Sequence, residues 1–252
     1  MSEKSFLKHI PNGITCLNLF SGCLSIVMAL NGRLDMACYF IFAAAVFDFF
    51  DGFTARWLKA YSDIGKELDS LADVVSFGVA PAAIMSALLI SSVTLQGFST
   101  DMFSCGWMIS MLGYIIAVFS ALRLANFNID TRQTDSFIGL PTPANALFIC
   151  ALSFTVQGDG WIASFTGNMY FLLAITVIFS YLLVAELPLF SLKFKTFGWK
   201  ANQVRYVFLI FSILVLVFFH WAGLALVILI YILLSILVRI FSDKKQIIKN
   251  IK

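Results

Sequence analysis

Charge is scarce in this chain: 12% of its 252 residues are Asp, Glu, Lys or Arg, against 60% hydrophobic ones, and the mean hydropathy is +0.92. An ordinary soluble globule carries about 25% charged residues, so that class is excluded. Cysteine is sparse as well. The five, at positions 16, 23, 38, 105 and 150, lie singly in apolar segments with no CxxC or other paired spacing, which indicates neither a disulfide framework nor a zinc site and reads them as small core residues. Ten-residue segments of alternating polarity are missing, which disfavours an outer-membrane barrel; continuous apolar runs and 27 Phe favour a helical bundle. There is no Gly-rich phosphate loop, low-complexity tract or convincing internal repeat. The 17 basic residues, with a net charge of +3, form no stripe of the kind that binds nucleic acid, so no nucleic-acid partner is expected. The opening MSEKSFLKHIPNG is too polar for a cleaved secretory signal, and the first helix is expected to stay in the mature protein.

What is present is a succession of apolar runs, at about 11–31, 35–57, 67–92, 103–124, 142–157, 168–188, 204–221 and 223–241. A span takes about 20 residues, so eight consume about 160 positions and leave no room for a separate soluble domain. The expected fold is all-α: one polytopic transmembrane bundle over residues 1–252. The fifth run is the shortest. The last two are parted only by a break around His220 to Gly223, which predicts a tight helical hairpin, and a seven-span count stays open.

Lys and Arg set the orientation. With eight spans, Lys4, Lys8, Arg56, Lys59, Lys66, Arg123, Arg132, Lys193, Lys195, Lys200, Arg205, Arg239, Lys244, Lys245, Lys249 and Lys252 fall on one side, and Arg33 alone on the other. The positive-inside rule makes the crowded side cytoplasmic, with both termini there. No organelle-targeting feature is visible, so the cytoplasmic (inner) membrane of a bacterium or archaeon is the simplest location. The tail SDKKQIIKNIK either lies along the anionic leaflet as an amphipathic segment or is a solvated end.

Six of the fourteen acidic residues fall between Asp48 and Asp73, in DFFDGFTARWLKAYSDIGKELDSLAD. An Asp near the middle of a spanning helix costs about 2.5 to 3.5 kcal/mol, so several together require compensation. Asp48 and Asp51 are spaced i, i+3 and Asp69 and Asp73 i, i+4, so each pair shares one helix face. The polar, turn-forming residues between, including Tyr61, Ser62, Asp63 and Gly65, let the second and third spans run antiparallel with the pairs facing each other near the cytoplasmic surface. Four carboxylates in one small volume repel one another unless cations sit between them. An all-oxygen set without His or Cys suits Mg²⁺ or Mn²⁺ and not zinc. Gly52 in a helix costs about 1 kcal/mol against Ala, which suggests close approach of a ligand or another helix, and Gly65 reads the same way. Arg56, four residues beyond Gly52, could reach phosphate oxygens. The competing reading pairs the aspartates with Arg56, Lys59 and Lys66, but three cations cannot neutralise six acids.

These residues spell Asp48-x2-Asp51-Gly52-x2-Ala55-Arg56-x8-Gly65-x3-Asp69-x3-Asp73, which resembles the signature of the CDP-alcohol phosphatidyltransferase family at every specified position. The resemblance implies displacement of CMP from a CDP-linked donor by an alcohol, with two divalent cations, Mg²⁺ or Mn²⁺, held by Asp48, Asp51, Asp69 and Asp73. It makes Asp73 also the general base, and it lines the nucleotide and diphosphate pocket with Gly52, Ala55, Arg56 and Gly65. A homodimer in the lipid bilayer is implied too. Paired metals can clamp the attacking and leaving oxygens of such a transfer, and a carboxylate beside them can take the alcohol proton.

Further segments are similar to the phosphatidylserine synthase branch: Pro11-Asn12-x2-Thr15-x2-Asn18-Leu-x2-Gly22, Asp73-Val-Val-Ser76-Phe77-Gly78-Val-Ala-Pro81-Ala, Leu122-Arg123-Leu-Ala-Asn126-Phe127-Asn128, and Phe137-Ile-Gly139-Leu-Pro141-Thr142-Pro143-Ala-Asn145-Ala. Together they run from about residue 10 to 147. The branch implies CDP-diacylglycerol and L-serine as substrates, although it commonly carries Arg where this chain has Asn126. Arg123, Asn126 and Asn128 form the expected acceptor site, since a zwitterion needs a cation for its carboxylate and acceptors for its ammonium group. Arg123 is the candidate for the carboxylate; its alternative is a topology-setting arginine at a helix end.

Other readings stay open. A sister enzyme would use glycerol 3-phosphate or inositol, and a divalent-cation transporter would also carry intramembrane acids, though spread through the bilayer depth. Asn12, Thr15 and Asn18, at three-residue spacing, make either interhelical hydrogen bonds or a polar cavity wall. Pro141 and Pro143 shape the start of span five or touch substrate. His9 and His220 read as interfacial. Glu186 pairs with Lys193 or Lys195, or serves substrate.

Overall fold

The first helix, α1 (His9–Leu30), buries Thr15, Asn18, Ser21, Gly22, Ser25 and Ala29 and exposes Leu17, Phe20, Val27 and Leu30. Small and polar residues therefore recur every three or four positions on the packed face, while the large apolar ones point outward. That is the inverse of a helix on a soluble core, and it suits a lipid-facing bundle in which small residues let backbones approach. The computed structural model describes residues 9–130, 137–189 and 198–250.

Helix α2 (Leu34–Trp57) returns along α1 after a tight turn in which Gly32 takes a φ of 72°. A left-handed conformation there is cheap only for glycine. The Arg33 amide donates to the Met28 carbonyl at 2.9 Å, and Ser25 Oγ donates across the helix pair to the Ala37 carbonyl at 2.8 Å. Helix α3 (Asp63–Asp73) begins at Ser62, whose Oγ accepts from the Gly65 amide at 3.1 Å, a normal N-terminal cap. It runs through a widened π turn, Val74–Val79, into α4 (Ala80–Leu95), so that Asp63–Leu95 is one span of 33 residues. Pro81 has no amide to return to the preceding turn, and the wider turn just before it accommodates that loss. The next span joins α5 (Cys105–Met111) through a 3₁₀ turn to α6 (Ile115–Ile129).

Helices α7 (Thr142–Val156), α8 (Trp161–Thr166) and α9 (Met169–Val184) follow, with Pro143 in the first turn of α7. At that position its missing amide costs nothing, so the prolines shape the start of the helix. Residues Phe137–Ile138 (β1) and Pro188–Leu189 (β2) pair antiparallel. With the Leu140 amide donating to the Leu182 carbonyl at 2.9 Å, this ladder ties the start of α7 to the end of α9. Ring stacking of Phe148 on Phe179, with centroids 3.9 Å apart, joins the same two helices deeper in the core.

The last helix, α10 (Trp199–Asn250), is broken at His220, where φ is 47° and ψ is −120°. Its arms fold back on each other: the rings of Phe208 and Tyr231 lie 5.8 Å apart, and Gly223 sits against the Val215 carbonyl. The expected hairpin is therefore present. Trp221 stacks on Phe42 and Phe154, at 5.5 and 4.4 Å, which docks the hairpin on α2 and α7. His220 is exposed, and backbone helicity continues through most of the basic tail to Asn250.

The chain is thus a polytopic helical membrane protein. Among the described residues five helices are long and apolar enough to cross a bilayer, the broken α10 being one of them. The fifth span is the shortest, as expected, with 15 residues in α7, and the sixth is shorter than expected, α9 having 16 residues and ending at Val184. At 1.5 Å per residue they reach about 22 to 24 Å, less than the hydrocarbon thickness of about 30 Å. The cysteines also depart from expectation. Cys38 and Cys150 are core residues, with Cys38 Sγ 3.8 Å from the Cys150 carbonyl, whereas Cys16, Cys23 and Cys105 are exposed. A small, weakly polar thiol is as acceptable on an apolar outer face as in a core.

Candidate active site

Helices α2 and α3 both pack on α1, and neither makes extensive contact with the other. A cleft is left between them with α1 as its floor, and the paired acids project into it. One carboxylate oxygen from each of Asp48, Asp51 and Asp69 lies within 4.8 Å of the others. Asp73, one turn past Asp69, is beside Asp48 but outside that group, and its Oδ1 accepts from Asn18 Nδ2 at 3.4 Å. Facing pairs were expected to bring four carboxylates into one volume; the geometry is three together and a fourth adjoining. Asp73 instead reaches the Asn18 amide on α1, one helical turn past Asp69.

Among the described residues no Lys or Arg forms an ion pair with any of these four aspartates, so the simple pairing with Arg56, Lys59 and Lys66 is not realised. Asp51 is 6% exposed, and its Oδ2, like Asp69 Oδ1, is buried without any hydrogen-bond partner. A buried charged acceptor left unsatisfied costs at least about 1 to 3 kcal/mol.

Beside the acids opens a cavity of about 260 Å³. Gly52, Ala55, Arg56 and Gly65, the four residues expected around a nucleotide diphosphate, all line it together with Asp51 and Asp69. The glycines differ in what they permit. A methyl on Gly65 would stand 2.8 Å from both Asn12 Oδ1 and Ser62 Oγ, so α3 needs glycine to approach α1. A methyl on Gly52 would meet only the Arg56 guanidinium, at 3.5 Å, so no helix packs there and the bare backbone faces the cavity. Asn12 and Thr15 form the α1 wall of the same cavity, while Asn18 is buried deeper. Their three-residue periodicity was visible in the sequence, but which of its two meanings applied was not; both apply, at different depths. Lys66 and Tyr61 also line the cavity and carried no distinguishing signal.

The three acceptor candidates on α6 separate. Arg123 is 7% exposed; its Nη1 donates to Thr142 Oγ1 at 3.5 Å, its guanidinium lies 5.6 Å over the Phe127 ring, and Nε has no partner. It points into the bundle. Asn128 Nδ2 donates to Ser70 Oγ at 2.9 Å, joining α6 to α3. Asn126 is exposed. Arg132, Lys193 and Lys195, and with them the suggested pairing of Glu186, lie outside the described residues.

A profile of the CDP-alcohol phosphatidyltransferase family matches residues 8–185, a stretch that contains this whole site. The chain belongs to that family. It is 38% identical over 149 residues to a CDP-diacylglycerol–serine O-phosphatidyltransferase of Bacillus subtilis, covering 59% of this chain and 77% of that one. A protein of the same description from Mycobacterium leprae is 35% identical over 192 residues, 73% of this chain and 58% of that one. An archaetidylserine synthase of Methanothermobacter thermautotrophicus is 35% identical over 159 residues, 62% of this chain and 63% of that one. The chain therefore spans little more than half the length of the mycobacterial relative.

For a CDP-alcohol phosphatidyltransferase the donor set can be tested for divalent cations. Three carboxylates on one patch, two of them with buried oxygens that no protein hydrogen satisfies, fit a hard cation with oxygen ligands.

Proposed function

We propose that this protein transfers the phosphatidyl group of CDP-diacylglycerol to L-serine, releasing CMP and forming phosphatidylserine. The observation that carries this reading is the cleft itself: a triad of carboxylates of which Asp51 and Asp69 carry unsatisfied oxygens and line a cavity walled also by Gly52, Ala55, Arg56 and Gly65. The names of the relatives support serine as the acceptor.

Asp48, Asp51 and Asp69 hold two divalent cations, and Asp73 completes their ligand set. When bound, these cations supply charge neutralisation for the diphosphate and for the oxygens that attack and leave. Gly52 and Gly65 let the diphosphate approach backbone, and Arg56 binds its oxygens by charge-assisted hydrogen bonds. Asp73, oriented by Asn18, accepts the proton of the serine hydroxyl as its oxygen attacks the phosphorus that bears the diacylglycerol. The bond to CMP breaks, and CMP leaves with the electron pair. Arg123 holds the serine carboxylate. The acyl chains enter sideways from the lipid, while the nucleotide head and serine arrive from the cytoplasmic side, where the basic residues gather. A homodimer is the working assembly.

Detergent-purified protein with CDP-diacylglycerol and Mg²⁺ or Mn²⁺ should release CMP and incorporate radiolabelled serine, in preference to glycerol 3-phosphate or inositol. Metal-dependent CMP release with one of those alcohols and not with serine would transfer the reading to a sister reaction. Ion flux in liposomes without CMP release would make the protein a transporter.

A further inference from the structure

The helices around the π turn carry buried polar atoms that no protein group satisfies, among them Asn18 Oδ1 on α1, Ser120 Oγ and Arg123 Nε on α6, and both Oδ1 and Nδ2 of Asn145 on α7. The π turn begins directly after Asp73 and packs against each of those three helices. Asn145 is the most anomalous. It is 0% exposed, yet its side-chain amide makes no hydrogen bond at all, whereas Asn18 and Arg123 each make one. Buried polar groups in folded proteins are overwhelmingly paired, and an exception calls for a ligand or a water.

Position favours a ligand. Thr142, which receives the Arg123 hydrogen bond, and Asn145 are spaced i, i+3 on the buried face of α7. The amide therefore stands within one helical turn of the point where the guanidinium touches α7. A carboxamide offers an acceptor and a donor together, which is the complement of an ammonium and a carboxylate on the same small molecule.

We propose that Asn145 is an acceptor-binding, specificity-determining residue, its Oδ1 accepting from the ammonium group of the amino-acid alcohol and its Nδ2 donating to the carboxylate that Arg123 also holds. This rests on the serine reading above and extends it to a residue on another helix.

The test measures KM for L-serine and for CDP-diacylglycerol separately in wild type, Asn145→Leu and Asn145→Ala, with melting temperatures in the absence of substrates. The leucine removes the amide at similar volume and the alanine rules out overpacking. The expected result is a serine KM raised at least about tenfold in both variants, a CDP-diacylglycerol KM within about twofold of wild type, and no loss of melting temperature in Asn145→Leu, because an unpaired buried amide has been replaced by an apolar group. A serine KM that stays near the wild-type value in either variant, or two KM values that rise together, would overturn the role of Asn145 while leaving the serine reaction intact. Wild-type protein that releases CMP only with a different alcohol would overturn the serine reading itself, and this assignment with it.

Discussion

Asn18 donates from Nδ2 to Asp73 Oδ1 across 3.4 Å, joining positions 55 residues apart. The Asn18 carbonyl in turn accepts from Ser76 Oγ at 3.0 Å, and Gly22, one turn along α1, leaves room for the Ser76 backbone. The first helix thus grips the π turn at the point where the proposed base sits. Asn18→Leu keeps the volume and removes the donor. Its turnover number is expected to fall about 10- to 100-fold, the usual effect of losing an outer partner of an active carboxylate, with the KM for CDP-diacylglycerol little changed. A turnover number equal to wild type would separate Asn18 from the chemistry.

Asp73→Asn removes the base and keeps the shape. Turnover should become undetectable, while donor affinity, carried mainly by Asp48, Asp51, Asp69 and Arg56, falls less. Equilibrium binding of CDP-diacylglycerol beside CMP release distinguishes these effects; near-normal CMP release would assign the proton transfer elsewhere.

Much of this site was legible in the sequence because helix periodicity is rigid. An i, i+3 pair on one span and an i, i+4 pair on the next, joined by a short polar turn, have few ways to avoid meeting, and Asp48, Asp51 and Asp69 do meet. The His220 break was legible for a similar reason, since polar and small residues interrupt an otherwise apolar run. What could not be read depends on register between distant segments. The contact of Asp73 with Asn18, 55 residues away, depends on how α1 packs on α3, and no local pattern announces it. Arg123 read in sequence either as a ligand for the acceptor carboxylate or as a charge at a helix end; its burial is decided by Thr142 and the ring of Phe127, one from another helix and one a turn away. Asn145 carries no signal of its own in the sequence, since burial without a partner is visible only once α7 is packed.

Two glycines give opposite expectations. A methyl on Gly22 would clash with the Ser76 side chain and stand 2.8 Å from its Cα, so Gly22→Ala should destabilise the fold by about 1 to 3 kcal/mol, as overpacked sites do. A methyl on Gly52 makes an ordinary contact with a mobile guanidinium end but narrows the cavity. Gly52→Ala should therefore keep or slightly raise the melting temperature, through better helix propensity, and lose most activity. Equal loss of stability in both variants would contradict this division.

Metal dependence should appear in stability as well as activity. In metal-free protein the unsatisfied Asp51 Oδ2 lies against two other carboxylates, so Asp51→Asn relieves repulsion and should leave the metal-free melting temperature equal or higher. Added Mg²⁺ or Mn²⁺ at 100 times its dissociation constant should stabilise wild type by about 2.7 kcal/mol, by mass action on the folded state. The same addition should give Asp51→Asn a much smaller increment, and chelation with EDTA should reverse the wild-type gain and abolish CMP release together. An Asp51→Asn protein that gained as much from the cation as wild type would remove Asp51 from the ligand set, because a neutral amide beside two carboxylates cannot replace the charge that draws a divalent ion into the cleft.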